Sequence, residues 1–456
     1  MYVEDTIAAI STPPGEGGIG VIRISGPESL AILKAVFKRK HDGGFLSHRF
    51  YYGEIFSPET TATVDEALAV YMQSPRSFTR EDVVEIQCHS GTLIMQQVLA
   101  LVLLCGARLA EPGEFTRRAF LNGRIDLLQA EAVIDMIRAK TEAAVAVARQ
   151  QSAGALSVAL FTVRDHIRHA LALVEAYVDF PDEDMGATDS GRLDRQISNA
   201  LAMVDDLIAT FEEGRVLRDG VNVLIAGKPN VGKSSLLNTL LKEKRAIVTA
   251  IPGTTRDLIE EVVNFDGLPV RLLDTAGICI SEDPVEREGI ARALDRIASA
   301  DLILYVLDAS RPFDGNDQLV ADAIRDSRII IVLNKSDLEA GLHLPPGLCT
   351  YPAVTISTLS LAGIEQLKHS IAQTFLHGKI VDSRELLLLS RARHRDALLR
   401  VRALLRDFIE HSAIPLPDEL LALDLREALH VLGEVTGETT PDDILDLVFG
   451  QFCIGK

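Results

Sequence analysis

The chain has 456 residues, with 46 Lys and Arg against 65 Asp and Glu, and a formal net charge of −19. This length predicts two to four domains, each with its own core. The acidic balance excludes a protein that coats nucleic acid by bulk charge, so any nucleic-acid site must be a local basic patch.

The cysteines and the apolar runs predict the compartment. The five cysteines are odd in number and form no C-x-x-C pair, which indicates neither a disulfide framework nor a zinc site and favours a reducing compartment. The most apolar run, residues 98–105, is too short to span a membrane, and the N-terminus lacks a signal-peptide layout. We therefore expect a soluble, cytoplasmic protein that does not associate with membranes.

Residues 1–119 predict a small α/β domain. Strand patterns cover 5–10, 20–24 and 83–88, and an apolar helix covers 93–104. From residue 120 the chain changes to long, alanine-rich helical stretches. These lie at 127–151, 155–178 and 193–211, and Pro181 ends the second of them.

Residues 219–377 alternate strands with helices. The pattern predicts a strand at 221–226, a helix at 233–242, a hairpin of 259–265 and 269–274, and strands at 302–307, 329–333 and 352–356. One hairpin with parallel crossovers predicts a mostly parallel sheet covered on both faces.

Helical patterns resume after this region, at 384–411, 418–433 and 441–449. Because they resemble the earlier helices, we predict one helical domain in two halves, 120–218 and 378–456, with the α/β region 219–377 inserted between them. Two independent helical domains are the alternative. The predicted fold class is therefore multidomain α/β and α, with a phosphate-loop domain inserted into an all-helical domain.

The segment GKPNVGKS at residues 227–234 fits the phosphate-loop pattern G-x-x-x-x-G-K-[ST] and lies between a buried strand and a helix. Backbone N–H groups and the positive helix end can cradle phosphates. We expect Lys233 to reach the β- and γ-phosphates and the Ser234 hydroxyl to bind Mg²⁺. The predicted nucleotide contacts here are Asn230, Val231, Gly232, Lys233, Ser234 and Ser235.

Further motifs follow in the order expected of a GTPase. In NKSD at 334–337, Asp337 can accept two N–H groups that guanine offers and adenine lacks, which predicts GTP over ATP. We expect the Ser357 backbone amide to bind the guanine carbonyl. The other predicted contacts are Asp274, Thr275, Ala276 and Gly277 of DTAG, Asn334 and Lys335 of NKSD, and Thr358.

The segment GTTRD at 253–257 predicts a switch, because Thr255 can complete the Mg²⁺ shell only when a γ-phosphate is present. Ile278 cannot orient water as a glutamine would, so we predict that Glu286 positions the attacking water. An ordinary acidic residue in a first helical turn is the simpler alternative for Glu286. Asn230 could help hold a monovalent cation, or be a turn residue.

With these residues assembled, the chain resembles the tRNA-modification GTPase family called MnmE or TrmE over essentially its full length. Beyond the GTPase motifs, the resemblance rests on DTI at 5–7, TPPG at 12–15, RISG at 23–26, SFT at 77–79, PGEFT at 112–116, AFLN at 119–122 and FCIGK at 452–456.

The resemblance implies a Ras-like G domain inserted into a helical domain, after an N-terminal folate-binding domain through which the chain forms a homodimer. It implies that G domains pair in the GTP state and that Glu286 and Lys233 are catalytic. It also implies a K⁺ ion held by Asn230, Thr249, Ile251 and Thr254. Of these, Asn230, Thr249 and Thr254 are also predicted to contact GTP, as is Thr255.

The resemblance further implies that Arg23, Glu81, Arg124 and Lys456 bind 5-formyl- or methylene-tetrahydrofolate. Cys453 matches a cysteine of the modification chemistry. Family members act with the FAD-dependent partner MnmG on carbon 5 of the wobble uridine of certain tRNAs. The chain departs from the family at Glu16, Arg80 and Cys279, the last where an arginine is usual.

Two alternatives remain at this stage. The first is a regulatory GTP switch in ribosome assembly that performs no covalent chemistry; the nine acidic residues against two basic ones in 411–456 disfavour it. The second is about the role of an arginine stripe, which could bind tRNA or could simply be the solvated face of a helix, the simpler account. The stripe comprises Arg391, Arg393, Arg395, Arg400 and Arg402.

Overall fold

The computed structural model describes residues 5–41, 43–179, 187–242, 262–273, 297–376, 387–414 and 417–455. It confirms the predicted fold class, because an N-terminal α/β region is followed by helices, a mostly parallel sheet and further helices.

The N-terminal sheet has seven strands in the order β3-β4-β5-β6-β2-β1-β7. They are β1 (Ile7–Ile10), β2 (Gly17–Ser25), β3 (Phe37–Arg39), β4 (Phe50–Phe56), β5 (Thr63–Met72), β6 (Val83–Ser90) and β7 (Arg108–Leu109). The helices of this region are α1 (Ser29–Val36), α2 (Thr92–Leu104) and α3 (Glu114–Leu121). Alternate residues of β6, namely Val84, Ile86 and Cys88, face the core, as a strand with one buried face requires.

The first helical half contains α4 (Leu127–Arg138), α5 (Glu142–Ser152), α6 (Ala155–Asp179), α7 (Ala187–Ala209) and α8 (Phe211–Asp219). The predicted single stretch 127–151 is wrong, because it is two helices. The Thr141 hydroxyl accepts a hydrogen bond of 3.2 Å from the N–H of Ala144 and so begins a new helix. Pro181 lies outside the described residues.

The second sheet has the order β13-β12-β11-β8-β10-β9. Its strands are β8 (Val221–Ala226), β9 (Val262–Phe265), β10 (Leu268–Leu273), β11 (Leu302–Asp308), β12 (Ile329–Asn334) and β13 (Ala353–Thr355), and its helices are α9 (Lys233–Lys242), α10 (Gly315–Ile324) and α11 (Ile364–Leu376). Only the β9–β10 hairpin is antiparallel among the described pairings of this sheet. Asp266 and Gly267 both have positive φ, which the tight turn of this hairpin requires.

The second helical half contains α12 (Ala392–Ser412), α13 (Asp418–Thr436) and α14 (Asp442–Phe449). Ile167 of α6 and Val204 of α7 belong to the same buried cluster as Leu398 of α12 and Leu425 of α13. Helices from before and after the inserted sheet thus share one core.

The predicted helix 384–411 is wrong at its start. Residues 387–391 are not helical, and α12 begins at Ala392. The backbone of this segment is bound by other elements: the Leu389 N–H donates to the Thr210 hydroxyl at 3.0 Å, and the Gln151 side chain donates to the Leu388 carbonyl at 2.9 Å. These partners replace the intrahelical hydrogen bonds.

No helix within the described ranges is both long enough and apolar enough to cross a membrane.

Candidate functional site

The phosphate loop follows the central strand of the second sheet. β8 pairs in parallel with both β10 and β11, so the loop that leaves its carboxyl end opens at the middle of the sheet. Residues 223–226 are buried, and α9 begins at Lys233. In open α/β sheets, ligands bind in this position, beyond the carboxyl ends of the strands.

Two glycines of the loop have no room for a side chain. A Cβ on Gly227 would lie 2.4 Å from the Val306 carbonyl oxygen, and a Cβ on Gly232 would lie 2.2 Å from the Asn334 side-chain nitrogen. Both have positive φ, which glycine tolerates best. The loop backbone therefore packs directly against β11 and the end of β12.

The Lys233 ammonium is held at the loop by its carbonyls. It donates to the carbonyl oxygens of Gly227 at 2.7 Å and Lys228 at 2.8 Å. Ser234 and Ser235 lie in the first turn of α9, where backbone N–H groups have no intrahelical acceptor. A cation and a positive helix end thus meet at one loop, which suits a phosphate chain.

Asn334 joins the loop after β12 to the phosphate loop. Its buried side-chain amide donates to the Val231 carbonyl at 2.9 Å, and its oxygen accepts from the Thr358 N–H at 3.2 Å. The Asn334 side chain therefore connects Val231 to Thr358, and all three residues were predicted to contact the same nucleotide.

Lys335 adds a second connection between the two loops. Its ammonium donates to the Asn230 carbonyl at 3.0 Å and to the Asp308 carboxylate at 2.6 Å. Burial acts to raise the pKa of Asp308, but hydrogen bonds from Lys335 and Ser310 outweigh burial and lower it. Asn230 has φ 65°, a conformation that asparagine tolerates better than most residues.

The Ser357 amide, which was predicted to bind the guanine carbonyl, has a hydrogen-bond partner within the protein. That N–H donates to the Ala362 carbonyl at 3.0 Å, which closes the loop after β13. The Ser357 hydroxyl instead donates to the Asp337 carboxylate at 2.5 Å. Ser357 therefore orients the carboxylate that was predicted to read guanine.

Lys228 is a loop contact that sequence reasoning missed. Its ammonium donates to Asp314 and to Asp317, each at 2.7 Å, and so fixes the phosphate loop to α10. Burial acts to lower the pKa of Lys228, but these two hydrogen bonds outweigh it and raise the pKa.

Part of the predicted site lies outside the described residues. It comprises Thr249, Ile251, Thr254, Thr255, Asp274, Thr275, Ala276, Gly277, Glu286 and Lys456.

A second cluster forms in the N-terminal region around the Phe78 ring. The guanidinium of Arg23 lies 5.7 Å from the ring centre, and that of Arg124 lies 4.8 Å from it. Arg124 also donates to the Phe78 carbonyl at 2.8 Å, and Arg23 pairs with Glu85 at 2.9 Å. Burial, together with nearby Arg80, lowers the pKa of Arg124. Two of the residues predicted to bind folate, Arg23 and Arg124, therefore lie beside the same aromatic ring.

Glu81, the third of these residues, is held by an ion network that sequence reasoning missed. It accepts from the Ser25 hydroxyl at 2.6 Å and from the Arg118 guanidinium at 3.2 Å. Arg118 is almost fully buried, with 3% of its side chain exposed, and it also pairs with Asp5 and Glu114. Burial acts to raise the pKa of Glu114, but Arg108 and Arg118 lower it.

The C-terminal tail docks against the N-terminal region. The Gly455 carbonyl accepts from the Ser11 hydroxyl at 3.1 Å and from the Arg23 guanidinium at 3.4 Å. A Cβ on Gly455 would lie 2.3 Å from the Ile10 carbonyl, so the backbones are in close contact. The Cys453 carbonyl accepts from the Gly113 N–H at 3.4 Å, while its side chain is exposed. The segment around Ser11 and the segment around Gly455 thus meet beside Arg23.

The arginine stripe, which runs from Arg391 just before α12 into that helix, is paired with carboxylates. Each member has a carboxylate within ion-pair distance. The pairs are Arg391 with Asp135, Arg393 with Glu131, Arg395 with Asp396, Arg400 with Glu434 and Arg402 with Asp205. These contacts favour the structural account of this stripe.

The loop, the sheet order and the two connections to the base loop define a GTP-binding protein of the phosphate-loop class. The chain belongs to the MnmE family of tRNA modification GTPases. The model of the MnmE helical domain matches residues 127–453, and that of the GTP-binding protein TrmE N-terminus matches residues 6–124.

Full-length relatives support this assignment. The tRNA modification GTPase MnmE of Geobacter metallireducens is 58% identical over 100% of both chains. That of Geobacter sulfurreducens is 59% identical, again over 100% of both chains. Separately, over part of its length the chain is similar to a crystal structure of Aquifex aeolicus Era, with 27% identity over 40% of this chain and 66% of that chain and a TM-score of 0.27.

Proposed function

We propose that this chain hydrolyses GTP to drive the modification of tRNA at carbon 5 of the wobble uridine. With the FAD-dependent partner MnmG, it adds an aminomethyl or carboxymethylaminomethyl group from a tetrahydrofolate one-carbon donor. The observation that supports this proposal is the docked tail, because the carbonyl of Gly455, two residues after Cys453, accepts a hydrogen bond from Arg23.

The nucleotide site fits GTP with Mg²⁺. Because Gly227 and Gly232 have no side chains, the loop can adopt a backbone path that surrounds phosphates. Lys233 supplies a positive charge at this loop. The Ser234 and Thr255 hydroxyls would hold Mg²⁺, a cation that prefers oxygen ligands. Asp337 would select guanine, and Glu286 would position the attacking water.

K⁺ would be held by Asn230 with Thr249, Ile251 and Thr254. A bound cation supplies the positive charge that stabilises phosphates during transfer, as an arginine finger does. Lys335 donates to the Asn230 carbonyl at 3.0 Å, which fixes the backbone of this predicted ligand.

The folate site fits the residues around Phe78. Folates carry an aromatic pterin ring and a carboxylate tail, and the Arg23 and Arg124 guanidinium groups can pair with carboxylates. When bound, folate supplies the one-carbon unit. Glu81 would accept from the pterin through its ordered carboxylate, and Lys456 would add a positive charge at the chain end. Cys453 would act on the uracil ring of the substrate.

The proposed domains follow the predicted boundaries: 1–119, 120–218, 219–377 and 378–456. The domain 1–119 of one copy would bind the same domain of a second copy to form the homodimer. The two G domains would pair in the GTP state. The shared core of α6, α7, α12 and α13 supports a single helical domain in two halves.

The test is the nucleoside content of tRNA from cells that lack this chain. We expect the modified wobble uridine to disappear and to return when the wild-type chain is restored. Unchanged nucleosides together with a defect in ribosome assembly would instead favour the regulatory switch.

A further inference from the structure

A cleft of about 310 Å³ lies where the helical region meets the nucleotide sheet. Most of the charged side chains that line it are cations: Arg138, Lys140, Arg218, Arg271 and Arg391. Two carboxylates, Asp135 and Asp219, also line it, which leaves more positive than negative charge. In a chain whose formal net charge is −19, such a cleft is a local site where a polyanion can approach.

The cations of this cleft are arranged by the fold and do not lie on one helix. Arg138 ends α4, and Arg218 lies in the last turn of α8. Arg271 belongs to β10, and Arg391 precedes the first turn of α12, whose N-terminus adds positive potential. Four of the five cations are arginines, whose planar guanidinium groups can bind phosphate oxygens in pairs.

The carboxylates reduce the positive charge only in part. Asp135 pairs with Arg391 at 2.7 Å, and Asp219 pairs with Arg218 at 2.8 Å. Arg138 donates to the Gln451 carbonyl at 2.7 Å, a contact that consumes no charge. Lys140 is exposed.

The lining of the cleft includes residues that are close in sequence to both sites of the proposed function. One wall is the β9–β10 hairpin, through Val262 and Pro269, and this hairpin connects the predicted switch segment 253–257 to DTAG at 274–277. Another part of the wall is Gln451, two residues before Cys453. A polynucleotide whose base reaches Cys453 would have its backbone next to this cleft.

We propose that the cleft binds the phosphodiester backbone of the substrate tRNA. This inference rests on the proposed function, which supplies the RNA. The cleft then contacts RNA with the helical region and the nucleotide domain at once, while the members of the arginine stripe other than Arg391 lie outside the lining of the cleft and do not contribute.

The test is the affinity of the full-length, GDP-bound protein for a fluorescent, unmodified tRNA transcript with a wobble uridine, measured across a salt titration. The combined variant Arg138→Ala and Lys140→Ala removes two cations from the cleft. The slope of log affinity against log salt falls by roughly 0.7 to 0.9 for each lost phosphate contact. A slope change of about 0.7 corresponds to about fivefold in affinity at about 0.1 M salt, so the loss of two contacts should weaken binding about 25-fold. Lys140→Ala alone, which keeps the Arg138 contact to the tail, should weaken binding about fivefold.

The matched control removes two cations from α12 with Arg400→Ala and Arg402→Ala. It changes the net charge equally, and we expect less than a twofold loss of affinity. All variants should keep basal GTP turnover and thermal stability.

Equal tRNA affinities for the cleft and control variants, or a larger loss in the control, would overturn the inference. So would a cleft variant that loses only its affinity for the partner enzyme, or a wild-type chain that does not bind the transcript. The tRNA nucleosides of cells lacking the chain test the proposed function separately.

Discussion

The side-chain amide of Asn334 donates a hydrogen bond of 2.9 Å to the carbonyl oxygen of Val231. The bond joins the base loop to the phosphate loop across residues that are 103 positions apart. Because the Asn334 side chain is fully buried, water cannot replace either partner. The base loop and the phosphate loop are therefore fixed to each other by contacts within the protein.

The variant Asn334→Ala should weaken guanine nucleotide binding. Without this connection the two loops have to be ordered relative to each other when the nucleotide binds, which costs about 1–3 kcal/mol, or roughly 5- to 150-fold in affinity. Titration with fluorescent GDP measures this change. The control Asn316→Ala alters an exposed residue of α10 and should have no effect. Equal affinities for the two variants would show that the connection between the loops does not matter for binding.

The variant Gly232→Ala should destabilise the nucleotide domain. Its Cβ would lie 2.2 Å from the Asn334 nitrogen, and its φ of +101° strains any other residue. Such strain costs about 1–3 kcal/mol of unfolding free energy. The matched control is Gly315→Ala, since a Cβ there has no neighbour within 4 Å among the described residues. Denaturant unfolding compares the two, and equal losses would contradict the close approach.

Stability should depend on pH through His394. Burial lowers the pKa of this histidine to about 4; the facing Glu131 opposes this effect, and Arg393 and Arg391 add to it. An unfolded histidine takes up its proton near pH 6.5, so the unfolding free energy should fall as the pH drops from about 6.5 to about 4, by at most roughly 3 kcal/mol.

The variant His394→Gln keeps an N–H donor for Glu131 but does not titrate. It should lose this part of the pH dependence while keeping the losses below about pH 4 that come from carboxylates such as Asp5. Burial acts to raise the pKa of Asp5, but Arg108 and Arg118 lower it. A variant with the same slope between pH 6.5 and 4 would show that His394 is not responsible.

GTP turnover should be much faster in KCl than in NaCl at the same ionic strength. If Asn230 helps to hold K⁺, Asn230→Ala should reduce the difference between the two salts at saturating GTP. Initial rates of phosphate release measure both. Equal rates of the wild-type chain in the two salts would exclude the cation site.

The phosphate loop was predictable because its chemistry is local. A glycine pattern between a strand and a helix specifies backbone that can surround phosphates, and the structure has β8 and α9 on either side of it. Strands β11 and β12 were predictable for the same reason, since each is apolar up to its last residue, and β8 has the same pattern interrupted only by Asn222.

Contacts between distant segments were not predictable. Nothing in the sequence around Arg118 indicates that it is buried, because its carboxylate partners Asp5 and Glu81 come from other parts of the chain. The contact between the Ser357 amide and the Ala362 carbonyl was not predicted, because it depends on the path of the loop after β13. The non-helical conformation of residues 387–391 was missed for the same reason, because it depends on hydrogen bonds with Thr210 and Gln151.

The most direct measurement of the central claim uses the chain with Cys453→Ser, which should fold because the exposed thiol makes no core contact. GTP turnover by the purified protein and modified wobble uridine in complemented cells are measured together. We predict nearly normal GTP turnover with loss of the modified nucleoside, since the nucleotide site and the docked tail would serve different steps. Normal levels of the modified nucleoside would contradict a role for the docked tail in the chemistry.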